Sequence, residues 1–193
     1  MVSDKPGQPT AHQQALDSVI ADMARQINTP IGVIPGSWPL TGDEVGIGDD
    51  VHRALLADDW AESGMRPNQL RKLVDVQVVT RKRQLSGDHP RGHDVGITVD
   101  GDVVGRILLD LDDDSVPVSV AAVTVVDIAI HPARQRHGVG SEVLRSVLLA
   151  AGHAGRSVRH SAVFGSAALN WLLKAGFVDT GGDALYRRLE WRP

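Results

Sequence analysis

The chain has 193 residues, is 42% hydrophobic and 23% charged, and carries a formal net charge of −4 with no cysteine. That length and apolar content suit one domain, or one domain with an extension, around a sizeable core. The acidic balance argues against a general nucleic-acid binder, and without cysteine there is neither a disulfide nor a thiol nucleophile. No apolar run is long enough for a membrane span. The N-terminus, MVSDKPGQPTAHQQ, lacks the charged-then-apolar order of a signal peptide, so a cytoplasmic location is the default expectation.

Residues 1–9 are polar with two prolines and read as disordered. Thr10-x-x-Gln13 is a capping box. Leu16, Val19, Ile20, Met23 and Ile27 then repeat at helical spacing, which predicts an amphipathic helix. Residues 28–49 hold three prolines and five glycines and read as loop, with a short extended piece at Ile31–Ile34. Asp49 or Asp50 opens a second helix through Val51, Leu55 and Trp60, ending near Ser63-Gly64. Pro67 suits the first turn of a third, carrying Leu70, Leu73 and Val74. The alternation Val74-x-Val76-x-Val78 then predicts an extended segment over 74–83. Gln84 to His93 is polar with glycine and proline and reads as a loop. His89 and His93 stand four apart there; on a helix they would form a metal pair, but Pro90 and Gly92 argue for the loop.

Val95-x-Ile97-x-Val99, then Asp100-Gly101, then Val103 to Leu111 is a strong hairpin signal. Asp112-Asp113-Asp114-Ser115 predicts a turn, either simply solvated or a lure for a cationic amine. Val123, Thr124, Val125, Val126, Ile128 and Ile130 predict a buried strand that stops at His131-Pro132, where proline removes a backbone donor. A loop with two glycines follows, Gln135-Arg136-His137-Gly138-Val139-Gly140. It leads into a helix with Val143, Leu144, Val147, Leu148 and Ala151 on one face. Such a helix start has unpaired N–H groups and a positive dipole end, so its default ligand is a phosphate. Neither G-x-x-x-x-G-K-[ST] nor G-x-G-x-x-G is present. Residues 131–163 hold Arg134, Arg136, Arg145, Arg156 and Arg159 against one acid, Glu142: a solvated basic surface, or a strip facing a polyanion. Ser157 to Phe164 predicts a short strand. Gly165 to Phe177 predicts a helix closing on Gly176-Phe177, and Phe177 to Trp191 a second hairpin.

The strand Asp127-Ile128-Ala129-Ile130-His131-Pro132, the loop Gln135-x-x-Gly138-x-Gly140 and the helix closing on Gly176-Phe177 together resemble the GNAT superfamily of acyl-CoA-dependent N-acyltransferases. The resemblance covers residues 94–190 and not the first 75. It implies an α/β (α+β) fold: a mixed, mostly antiparallel twisted sheet flanked by helices, with strand 123–131 at its centre. It implies a domain over 31–193, preceded over 1–30 by a disordered segment and a helical extension. The first 75 residues could instead be a helical cover or homodimerisation element. The preferred reading makes Ile31–Ile34 and the helices from Asp50 and Pro67 the family's opening strand and helix pair.

The implied cofactor is acetyl-CoA or another short acyl-CoA. Its pantetheine arm would lie along the backbone of Ile128, Ala129 and Ile130, and its pyrophosphate on the loop of Gln135, Arg136, His137, Gly138, Val139, Gly140 and Ser141. The implied reaction is direct acyl transfer to a primary amine that the sequence does not identify, with no metal, nucleic acid or membrane involved. Asp127 is the candidate base; an acid inside an apolar strand is costly unless it is partnered or faces a cleft, so the competing reading is a structural acid bonded to backbone or arginine. His131 and His160 are weaker candidates. Two positions depart from the family. Leu172 stands where a tyrosine often protonates the leaving thiolate, and Gly165 where asparagine is common; Tyr186 is the remaining candidate acid. They leave open a catalytically degenerate CoA-binding or assembly module.

Overall fold

The computed structural model describes residues 9–36, 46–111, 117–118 and 121–193. Of the disorder expected at residues 1–9, all but Pro9 lies outside the described residues, as does the turn expected at Asp112–Ser115. In chain order the elements are α1 (Ala11–Gln26), β1 (Ile31–Pro35), α2 (Asp49–Asp59), α3 (Pro67–Asp88), β2 (His93–Val99), β3 (Asp102–Leu111), β4 (Val123–Ile130), α4 (Val139–His153), β5 (Val158–Val163), α5 (Ala167–Lys174), β6 (Val178–Gly182) and β7 (Tyr186–Trp191). The strands form one sheet in the order β1-β2-β3-β4-β5-β7-β6. All pairs are antiparallel except β4 with β5. This is the mixed, mostly antiparallel sheet flanked by helices that was expected, with β4 in the middle.

Local chemistry accounts for most boundaries. The Thr10 side chain caps Gln13 N while Gln13 returns to Thr10 N, closing both orphan donors at the start of α1. Leu16, Val19 and Met23 of α1 are buried in the main core with Val143, Leu144 and Val147 of α4. The β2–β3 turn sets Asp100 and Gly101 at φ 53 and 89, the left-handed pair that a two-residue hairpin turn requires.

One expected element is wrong. Residues 74–83 are not extended: α3 runs unbroken to Asp88, through the first half of the segment expected to be loop. Val74 and Val78 are buried whereas Val76 is 61% exposed. The true period is therefore four and not two, and Lys82 continues the same buried face. His89 and His93, read as loop residues, each face a different acid. His89 Nδ1 lies 2.9 Å from Asp110 and His93 Nδ1 3.1 Å from Asp17, and no cluster of metal-ligating residues occurs among the described residues.

Two irregularities of β4 position the site. Leu108 pairs with Asp127 but Leu109 pairs with Val125, so Val126 is an extra residue, a β-bulge. It turns Val125 toward the core on the α1–α4 face and sends Asp127 to the opposite face, under α2 and α3. In addition, the β4–β5 ladder holds only Val123 with Val158 and Thr124 with Arg159. Beyond that rung the two central strands part, and the sheet has an open fork.

Candidate active site

The fork opens into a cleft of about 770 Å³ walled by Ile128 and Ile130 of β4, the loop 135–141, and Ala167, Ala168, Asn170, Trp171 and Lys174 of α5. Trp171 Nε1 donates to Ser141 Oγ at 3.0 Å, tying α5 to the first turn of α4. Gly138 is the N-cap of α4 at φ 83, and Arg136 also has a positive φ of 63. These two left-handed residues turn the loop so that successive amides face outward. Among the described residues, none of the backbone N–H groups of residues 136–141 donates to an intramolecular acceptor. A Cβ at Gly138 would meet nothing within 4 Å. The loop thus presents a row of free donors at a helix N-terminus, with open space beside it, which is the donor set an anionic diphosphate requires.

Gln135 was expected to help hold the cofactor; its side chain turns back and donates to the Ile130 carbonyl at 3.0 Å, bracing the loop against β4. His137 Nδ1 donates to the Gln135 carbonyl at 2.6 Å. The five arginines of residues 131–163 do not form one strip. Arg136 lines the cleft. Arg156 donates to the carbonyls of Val118 and Ala121, Arg145 to Glu142 and to the Gln26 carbonyl, and Arg159 faces Glu190. Those three brace the fold. The hydrogen bonds of Arg145 and the contacts of Asn28 hold the Glu142 carboxyl at about 2, below its ordinary 4.5, against the opposing effect of burial.

Asp127 lies on the far side of β4 in a buried charged cluster. Its Oδ2 accepts from His52 Nε2 of α2 at 3.0 Å and its Oδ1 from Arg81 of α3 at 2.7 Å, with Arg106 of β3 3.7 Å away. Arg106 in turn donates to Asp94 of β2 at 2.8 Å. Burial alone would raise the Asp127 carboxyl; the His52 hydrogen bond and the charges of Arg81 and Arg106 outweigh it and hold the group well below the usual carboxylate range. Asp94 goes the other way, raised by burial despite Arg106. His160 of β5 donates from Nδ1 to the Val125 carbonyl, filling the place of the next rung where the fork begins. Burial pushes its imidazole down. His131 accepts from Ala133 N in the turn that follows β4.

Leu172 is buried in the core, so α5 offers the cleft Asn170, Trp171 and Lys174 and no hydroxyl. Tyr186 opens β7 beside Val163, half exposed and outside the cleft. Sequence reasoning missed His52, Arg81 and Arg106. The only signal was the cost of an acid at position 127, which demanded partners without naming them. A second hollow of about 510 Å³, between α1, β1 and residues 90–95, borders neither the fork nor the row of free amides.

The model of the acetyltransferase (GNAT) family matches residues 55–177. No curated protein matches the chain. Among solved structures, a PaiA N-acetyltransferase from Thermoplasma acidophilum in complex with coenzyme A aligns at 12% identity with TM-score 0.52, covering 86% of this chain and 100% of that one. An acetyltransferase from Thermus thermophilus aligns at 18% identity with TM-score 0.52, covering 84% and 97%. A GNAT family acetyltransferase from Elizabethkingia anophelis with acetyl-CoA bound aligns at 13% identity with TM-score 0.51, covering 86% and 100%.

Proposed function

Because the chain belongs to the GNAT acetyltransferase family, we propose that it transfers an acyl group, acetyl in the simplest case, from acyl-CoA directly to a primary amine. The observation that carries this reading is the row of unengaged amides at 136–141 beside the β4–β5 fork. It suits a diphosphate, and the unpaired edge of β4 beside it suits a linear amide-bearing arm. Similar folds have been crystallised with coenzyme A or acetyl-CoA.

Acyl-CoA, when bound, supplies an activated thioester carbonyl and a thiolate leaving group. The amides of 136–141 hold the pyrophosphate. The β5-facing backbone of Ile128 to Ile130 pairs with the pantetheine amides, and one of its N–H groups polarises the thioester carbonyl. Ile128 and Ile130 shield the reacting carbon from water. The β4–β5 ladder ends after two rungs, and in this reading the amine approaches from the α2 side of β4 and meets the thioester where the strands part. There the Asp127–His52 pair accepts the amine's proton. No acyl-enzyme is formed, since the chain has no cysteine and no G-x-S-x-G elbow. The thiolate leaves without a side-chain acid from position 172; a thiol of pKa about 8.5 needs little help.

The second reading, a CoA-binding module without catalysis, draws on the buried Leu172. One experiment separates the two. The protein is incubated with acetyl-CoA and a panel of primary amines, and free CoA thiol and acylated product are measured. Turnover of any amine supports transfer. Saturable CoA binding, seen as a raised melting midpoint, with no product from any amine supports the module.

A further inference from the structure

His52 has a geometry that neither its sequence position nor the family match assigns. It stands in the first turns of α2, its side chain 11% exposed, with Nε2 3.0 Å from Asp127 Oδ2. Asp127 is held ionised and cannot donate, so Nε2 is the donor to it, and Nδ1, on the other side of the ring, is not committed to the carboxylate. Among the described residues no hydrogen bond engages Nδ1, and the side chain keeps a small exposed fraction. This is an imidazole oriented by a carboxylate through one nitrogen and left basic at the other, the arrangement of a general base with its positioning acid.

The other candidates are worse placed. Asp127 has both oxygens engaged, one by Arg81 and one by His52, and cations around a carboxylate lower its basicity. His160 is mostly buried and its Nδ1–H is committed to the Val125 carbonyl. We infer that His52 Nδ1 takes the proton of the acceptor amine, with Asp127 as the positioning residue that fixes its tautomer; this rests on the acyl-transfer reading above. As the amine nitrogen bonds to the thioester carbon, the C–S bond breaks, the electron pair leaves on sulfur as thiolate, and the amine's proton passes to His52 and then to solvent. The charged groups around the pair are Asp49 of α2, Arg81 and Lys82 of α3, Asp94 of β2, Arg106 of β3 and His160 of β5.

The test compares wild type with His52→Gln and Asp127→Asn, using acetyl-CoA and an amine accepted by the wild type. Glutamine keeps a donor for Asp127 but cannot accept a proton. His52→Gln should lower kcat by about 10²–10³-fold and abolish the acid limb of the kcat/KM profile, with CoA affinity unchanged. Asp127→Asn should lower kcat by about 10²-fold. Long-range proton–nitrogen spectra of the apo protein should show His52 protonated at Nε2 alone in the wild type and a mixed tautomer in Asp127→Asn. Three results overturn the inference while acyl transfer stands: His52→Gln with kcat within threefold of wild type, a wild-type His52 protonated at Nδ1, or the loss appearing in His160→Gln in place of His52→Gln. A wild type that binds CoA and acylates no amine overturns the acyl-transfer reading itself, and this inference with it.

Discussion

Arg106 is the cation on which the buried network turns, and replacing it by methionine tests that network by stability alone. Its Nε donates to Asp94 Oδ1 at 2.8 Å, its Nη2 lies 2.7 Å from the same oxygen and its Nη1 3.7 Å from Asp127, and the side chains of all three are less than a tenth exposed. Methionine keeps much of the stem's volume but leaves Asp94 buried without its cation. Removing one partner of a buried pair costs about 3–5 kcal/mol, and for a chain of this size each kcal/mol lowers Tm by about 2–4 °C. Arg106→Met should therefore lower Tm by roughly 6–20 °C at pH 7.5 by circular dichroism. Asp94 already has a raised carboxyl in the folded state. The folded chain then binds that proton more readily than the unfolded one, so stability is gained toward acid and lost as pH rises. The variant's deficit should accordingly be smaller at pH 5 than at pH 7.5. The double variant Arg106→Met/Asp94→Asn should recover more than half of the loss, because the uncompensated charge is gone. A Tm drop under about 2 °C, or a double variant no better than the single, would refute the reasoning.

The other predictions are simpler. Val78→Asp should destabilise the protein by several kcal/mol while Val76→Asp stays within about 0.5 kcal/mol; equal effects in urea titrations would contradict the helical period of α3. Glu142, held at about 2 against an ordinary 4.5, contributes stability that is fully present above 4.5 and lost as pH falls toward 2. The group is partly exposed, so Glu142→Gln should cost on the order of 1 kcal/mol at pH 7 and flatten the acid limb of the stability curve in that window; an unchanged limb would discount the pair. Tyr186→Phe should leave kcat within about twofold, and a large loss in steady-state assays would give that hydroxyl the acid role.

The parts of the site legible in the sequence are the local ones. β4, the glycine loop and α4 follow from an apolar run, a proline stop and a helical face, all within one stretch of chain. So do the Thr10 capping box and the Asp100-Gly101 hairpin. Val74 and Val78 misled because spacing of four satisfies both a strand face and a helix face, and only the exposure of Val76 decides between them. The network around Asp127 was illegible for a different reason. His52 is 75 residues away and Arg81 is 46, and only the fold brings them under β4. The bulge at Val126 adds a further twist: strict alternation would set Val125 and Asp127 on one face of β4, and the extra residue parts them. The bond from the Gln135 side chain to the Ile130 carbonyl likewise depends on how the loop folds back on β4.

Calorimetric titration of CoA into wild type and Gly140→Asp tests the central claim most directly. A Cβ at 140 would sit 3.6 Å from Ile130 Cγ1 and 3.9 Å from Trp171 Cζ2, in ordinary contact. The substitution therefore fits where one at Gly138, with its positive φ, is strained, and it sets a carboxylate against the row of amides meant for phosphate. The wild type should bind one CoA saturably, and the variant should lose more than tenfold in affinity with an unchanged melting curve. A wild type that takes up no CoA, or a variant that binds it equally well, would contradict the placement of the cofactor and the function built on it.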